Sequence, residues 1–115
     1  QRALFDLLTA LNGTPPPVID SDDMLENPAK IVELWCDAVN IPFMPEALSW
    51  ASGGDPSEHS WWDGGSFHWN LAKSTGLMPQ ARKYIEVADA PERVKQVYRR
   101  MRPHYEHLYQ HRLKA

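Results

Sequence analysis

Leu4, Leu7, Leu8 and Leu11 recur at the three-to-four-residue spacing of one helix face, and Gly13 follows where a left-handed residue closes a helix. Residues 2–12 therefore read as an amphipathic helix. Thr14-Pro15-Pro16-Pro17 cannot continue it and leads out extended. Val18-Ile19 is then the only credible strand, two residues long, and it runs into the acidic turn Asp20-Ser21-Asp22-Asp23. Asn27-Pro28 reads as an N-cap followed by a first helical residue. Ile31, Leu34, Trp35, Ala38 and Val39 make the apolar face of that helix, which ends at Asn40 and Ile41-Pro42. Pro45 to Leu48 reads as a helical turn or two. Residues 51–65 have no periodicity and read as a long loop, and Ser66 to Thr75 as a short helix stopped by Gly76. Asp89 and Glu92 stand in capping-box spacing, with Pro91 in the first turn. Val94, Val97, Tyr98, Met101, Tyr105, Leu108 and Tyr109 then form a long apolar stripe, in which Pro103 predicts a kink or break near Arg102.

This pattern predicts a mainly α fold: a small helical domain with one short strand, occupying residues 1–115 as a single domain. The length of 115 residues and a hydrophobic fraction of 43% suit one small core. Apolar runs are only a few residues long, so no membrane span is expected. Gln1 opens the chain with no basic or apolar leader behind it, so no signal peptide is visible. A lone cysteine, Cys36, excludes an internal disulfide and fits a reducing, cytoplasmic setting.

The net charge of −3 is too mild to make nucleic acid the expected partner. Its distribution says more. Residues 1–63 carry 11 acids against Arg2 and Lys30, a net of −9, whereas residues 64–115 carry ten bases against four acids, a net of +6. Halves of opposite sign attract each other within one chain or across two copies. A homodimer is therefore one expectation for partners. Two separately solvated helices of opposite sign would give the same count.

Four groups of residues invite a chemical reading. Asp20, Asp22 and Asp23 could hold a divalent cation, yet the glycine and downstream glutamate of a cation loop are missing, and capping the next helix is the simpler task. His104, His107 and His111 recur on one side of the last helix at spacing that can chelate zinc or nickel, but with no cysteine or second acid beside them they read as surface residues, and no metal is expected. Trp61, Trp62, His68 and Trp69 concentrate flat faces in and beside the long loop and could stack a sugar, a nucleobase or a cationic ligand; the same rings could equally roof a small core. Cys36 lies beside Trp35 on an apolar face and reads as a buried thiol, and Ser49, Ser60 and Ser66 lack a nucleophile elbow. No catalytic residue emerges. There is also no Gly-x-x-x-x-Gly-Lys-Ser/Thr loop and no Gly-x-Gly-x-x-Gly to cradle a phosphate.

Against that background, four segments resemble one family in the right order. Val18-Ile19-Asp20-Ser21-Asp22-Asp23-Met24-Leu25-Glu26-Asn27-Pro28 is similar to the strand, acidic turn and helix start of sulfotransferase-like P-loop proteins, where the turn reads D-L-L-E-D-P. Asn40-Ile41-Pro42-Phe43-Met44-Pro45 stands where the family has G-I-P-F-D-P, with Asn40 and Met44 as the departures. Trp69 to Gly76, including Lys73-Ser74-Thr75-Gly76, resembles the W…S-T-G segment of the bacterial branch. Pro103 to Leu113 resembles that branch's P-Y-Y-E-x-L-Y-x-H-R-L tail.

The resemblance implies the C-terminal half of such a protein, without the phosphosulfate loop or the Arg and Ser that hold the nucleotide 3′-phosphate. Arg82-Lys83 corresponds loosely to the family's later basic segment, which can touch that phosphate. The implied role is the acceptor-side wall and lid of a sulfotransferase-like protein. Such a part binds no cofactor itself; phosphoadenosine phosphosulfate enters only with a complete parent, and the missing N-terminal half is the other candidate partner. The alternative is a free-standing helical binding or assembly module with the Trp/His loop as its ligand site.

Overall fold

The computed structural model describes residues 1–53, 72–79 and 84–115. Among them are four α-helices and no strand: α1 (Arg2–Asn12), α2 (Ser21–Glu26), α3 (Pro28–Ala38) and α4 (Glu92–Gln110). Short 3-10 turns at Pro45–Leu48 and Val87–Asp89 complete the set. None of these helices is long and apolar enough to cross a membrane.

α1 ends as its sequence requires. Gly13 sits at φ 72°, and its N–H donates to the Thr9 carbonyl at 2.9 Å. The face that α1 turns inward differs from the leucine stripe. Phe5 is buried and Leu8 half-buried, while Leu4, Leu7 and Leu11 stay exposed. Helical periodicity marks an apolar face but does not say which edge of it meets a neighbour. Here the neighbour is the end of α4, and it meets Phe5.

The acidic turn caps α2. Asp20 Oδ1 accepts from the N–H groups of Asp22 and Asp23 at 3.0 and 3.3 Å, which satisfies two of the four orphan donors at a helix start. α3 begins at Pro28, where a missing N–H costs nothing, although Asn27 caps it by position and not through its side chain. Ile31 and Cys36 are buried on its inner face. After α3 the chain turns through Asn40 at φ 57°, a conformation asparagine tolerates better than most residues.

The expected strand shrinks to one residue. Val18 forms an isolated parallel bridge with Arg112, closed by the Leu113 N–H on the Val18 carbonyl at 2.9 Å. Two expectations for the last helix are corrected. No capping box forms, because Asp89 ends the preceding 3-10 turn and Pro91 occupies the N-cap of α4. Of the kink or break expected at Pro103, the break is absent: α4 runs unbroken for 19 residues. Pro103 is exposed and lies opposite the apolar stripe, so water can take up the Arg99 carbonyl that loses its N–H partner.

The packing is pairwise. α2 meets α3, α1 meets α4, and α3 meets the Pro45–Leu48 turn. Phe5, Ile31, Cys36 and Ala72 are the buried apolar residues among those described.

Candidate functional site

The residues on either side of the Trp/His-rich segment meet each other. Ser49 and Gly76 form an isolated antiparallel bridge. Around it the Trp50 N–H donates to the Thr75 carbonyl at 3.0 Å, the Leu77 N–H to Leu48 at 3.2 Å and the Gly53 N–H to Ala72 at 2.9 Å. Side chains reinforce the join: Trp50 Nε1 donates to Ser74 Oγ at 3.2 Å, and Ser52 Oγ to the Ala72 carbonyl at 2.9 Å. The Lys73-Ser74-Thr75-Gly76 motif therefore forms one side of a clasp at the base of the segment. Within the clasp Ala72 is buried and Trp50 is exposed.

Gly76 is required for a steric reason. A Cβ at this position would stand 2.9 Å from the Leu48 carbonyl oxygen, a backbone atom that cannot rotate away. Gly76→Ala should cost about 1–3 kcal/mol, the usual range for overpacking, and should speed amide exchange at Trp50 and Leu77. Exchange at the wild-type rate at both amides would refute this account of the clasp.

Trp61, Trp62, His68 and Trp69, the candidates for ligand stacking, lie outside the described residues, as do the candidate cofactor residues Arg82 and Lys83. The downstream flank of Arg82-Lys83 is described. Tyr84 is exposed, and its hydroxyl reaches Asp22 Oδ2 at 3.5 Å, which is the outer limit of a hydrogen bond.

A second cluster joins residues far apart in sequence. Arg112 Nε donates to Asp23 Oδ2 at 2.6 Å, its Nη1 donates to the Tyr109 carbonyl at 3.0 Å, and its guanidinium lies 3.5 Å from the Tyr109 ring centre. Tyr105 donates its hydroxyl to Asp20 Oδ2 at 3.0 Å and stacks on Tyr109 at 5.3 Å. Partial desolvation, then the bond to Asp20, pushes the Tyr105 phenol up to about 12, so it stays protonated and donating at neutral pH. The bond to Asp23 likewise holds the Arg112 guanidinium above its ordinary value. Beside this clamp lies a polar hollow of about 420 Å³ lined by Asp23, Glu26, Asn27, Arg112, Lys114 and Ala115. Every charge-bearing partner in the clamp is committed to another. The arrangement ties the residues that follow α4 to α2.

Of the three histidines, His107 and His111 come together and His104 does not join them. Their rings sit 5.1 Å apart and pack on Phe5 at 5.6 and 5.0 Å. His107 Nε2 is 3.7 Å from Asp6 Oδ1. Among the described residues no three histidine, cysteine or acidic side chains converge on a common point. Cys36 is buried, as its apolar neighbours suggest. The Arg112 clamp has no signature in local spacing, because its partners stand 85 and 89 residues apart. Only the opposite charge of the two halves hinted at it.

The sulfotransferase domain family matches residues 1–105. Two plant proteins of Arabidopsis thaliana are also similar. Branched-chain-amino-acid aminotransferase-like protein 2 is 31% identical over 102 residues, covering 83% of this chain and 17% of that protein. Branched-chain-amino-acid aminotransferase-like protein 1 is 33% identical over 102 residues, covering 83% of this chain and 18% of that protein. The chain thus spans less than a fifth of the length of these relatives. No solved structure matches.

Proposed function

The chain belongs to the sulfotransferase domain family, and from that premise we propose that it forms the acceptor-side wall and lid of a sulfotransferase of the bacterial P-loop type, without the donor site. The reaction of a complete protein would move a sulfuryl group from phosphoadenosine phosphosulfate to a hydroxyl or amine. Backbone N–H groups and a lysine in a glycine-rich loop would have to neutralise that group in transit.

One observation carries the reading: a family match over residues 1–105 that contains no such loop. The polar hollow beside Arg112 sets the carboxylates of Asp23 and Glu26 against Lys114, and Arg112 is already paired with Asp23, so this hollow offers no excess of positive charge for a bisphosphate. The plant relatives' aminotransferase-like names belong to far longer proteins and assign no transamination to these residues.

The test is direct. Purified 115-residue protein should neither turn over the phosphosulfate donor nor show saturable binding of the nucleoside 3′,5′-bisphosphate product by calorimetry. Measurable turnover, or bisphosphate binding lost in Arg82→Ala/Lys83→Ala, would overturn the reading.

A further inference from the structure

α4 carries an apolar arc that the described chain uses only at one end. At 3.6 residues per turn, Val94, Val97, Tyr98, Met101, Tyr105, Leu108 and Tyr109 cover an arc of about 120°. Lys95 and Arg102 border it on one side, Arg93 and Arg100 on the other. Its C-terminal turns are occupied: Tyr105 bonds Asp20, the Arg112 guanidinium lies over the Tyr109 ring, and Leu108 is half-buried. Its N-terminal turns are open: Val94 is 53% exposed, Val97 47% and Met101 43%. Between Tyr98, Met101 and Tyr105 lies an apolar hollow of about 330 Å³.

The charges select what can cover this arc. α4 holds five Lys and Arg residues against Glu92 and Glu106, and both acids are taken, by Arg99 and Arg102 at 2.6 Å each. Arg93, Lys95 and Arg100 make no ion pair among the described residues. Two α4 helices face to face would set like charges against each other, so a symmetric α4–α4 seam is disfavoured. The matching surface stands elsewhere on the same chain. Where α3 gives way to the Pro45–Leu48 turn, Val39, Ile41 and Met44 are exposed, Met44 at 54%. Asp37 and Glu46 flank them, exposed and with no ion pair among the described residues. Because both patches are exposed in one molecule, neither covers the other there.

We propose that the open arc of α4 docks the acidic exit of α3 in a second copy of the chain. Each copy offers both patches, so reciprocal docking around a two-fold axis buries both and forms every contact twice. Apolar side chains at the centre supply the attraction, and the Arg93, Lys95 and Arg100 rim set against Asp37 and Glu46 supplies register and orientation. The inference stands apart from the donor-site reading, since neither patch includes a residue invoked there.

Sedimentation velocity across a micromolar dilution series tests it. The full chain should form a reversible species of twice its 13.2 kDa mass. Lys95→Glu/Arg100→Glu should weaken the dimer about tenfold or more, as should Asp37→Lys/Glu46→Lys, each with unchanged helical circular dichroism. Mixing the two charge-reversed variants should restore a mixed dimer, because one of its two interfaces again pairs opposite charges while the other pairs reversed ones. A monomer throughout the series would overturn the proposal. So would a dimer indifferent to both charge reversals, or mixed variants that associate no better than either alone. Binding of a monomeric chain to phosphatidylserine vesicles through the same α4 residues would also overturn it, by giving the arc to a membrane surface.

Discussion

Ile31→Ala should lower the unfolding free energy by about 2–5 kcal/mol, the range for deleting a buried branched side chain and leaving a cavity. Ile31 is 1% exposed, the most buried large side chain among the described residues. It sits on the inner face of α3, the helix that meets both α2 and the Pro45–Leu48 turn. Denaturant unfolding followed by tryptophan fluorescence measures the loss, with Leu11→Ala as the comparison. Leu11 is 70% exposed, so its truncation should stay within about 0.5 kcal/mol. Equal losses at the two positions would show that α3 does not hold the core.

Phe5→Ala should cost about 3–5 kcal/mol and separate α1 from the end of α4. Phe5 is 6% exposed and meets His107 edge-on at 84°, with His111 tilted against the same ring. Aromatic pairs in this geometry add about 0.5–1.5 kcal/mol beyond the area they bury, and no other aromatic ring pairs link α1 to α4 among those described. The readout is local as well as global. Amide protection across α1 should fall, and the ring resonances of His107 and His111 should move together. Phe5→Leu, which keeps apolar volume and loses the ring, should recover part of the stability but not the histidine shifts. Unchanged histidine resonances in Phe5→Ala would remove the Phe5 cluster from the account of how α1 is held.

Much of the architecture was legible in the sequence, and for a local reason. The bounds of α1 and α3, the left-handed Gly13 and the Pro28 start all follow from interactions within about four residues, whereas α2 reads only as an acidic turn and its cap at Asp20 is not singled out. Those signals act on the chain whatever surrounds it. The sulfotransferase resemblance, carried by short ordered motifs, was equally readable and agrees with the family match. The candidate site was legible only in part. The Lys73-to-Gly76 motif was noticed for its resemblance, yet its task as one side of a clasp needed Leu48 and Trp50 brought opposite it.

What tertiary structure alone decided is pairing between distant segments. Leucine periodicity on α1 could not say that Phe5, and not Leu4 or Leu7, would meet the neighbour, because the burying surface belongs to a helix about 100 residues further on. The Arg112–Asp23 clamp and the Val18 bridge depend on the chain's end returning to its beginning, which no local spacing encodes. Pro103 and the Asp89/Glu92 pair carried strong local signals that the fold set aside. Exposure on the far side of α4 let the helix absorb one lost hydrogen bond, and Pro91 moved the helix start beyond Asp89's reach. Local propensities amount to about 1 kcal/mol for most residues and about 3 kcal/mol for an interior proline, and packing against another element outweighs them where the two disagree.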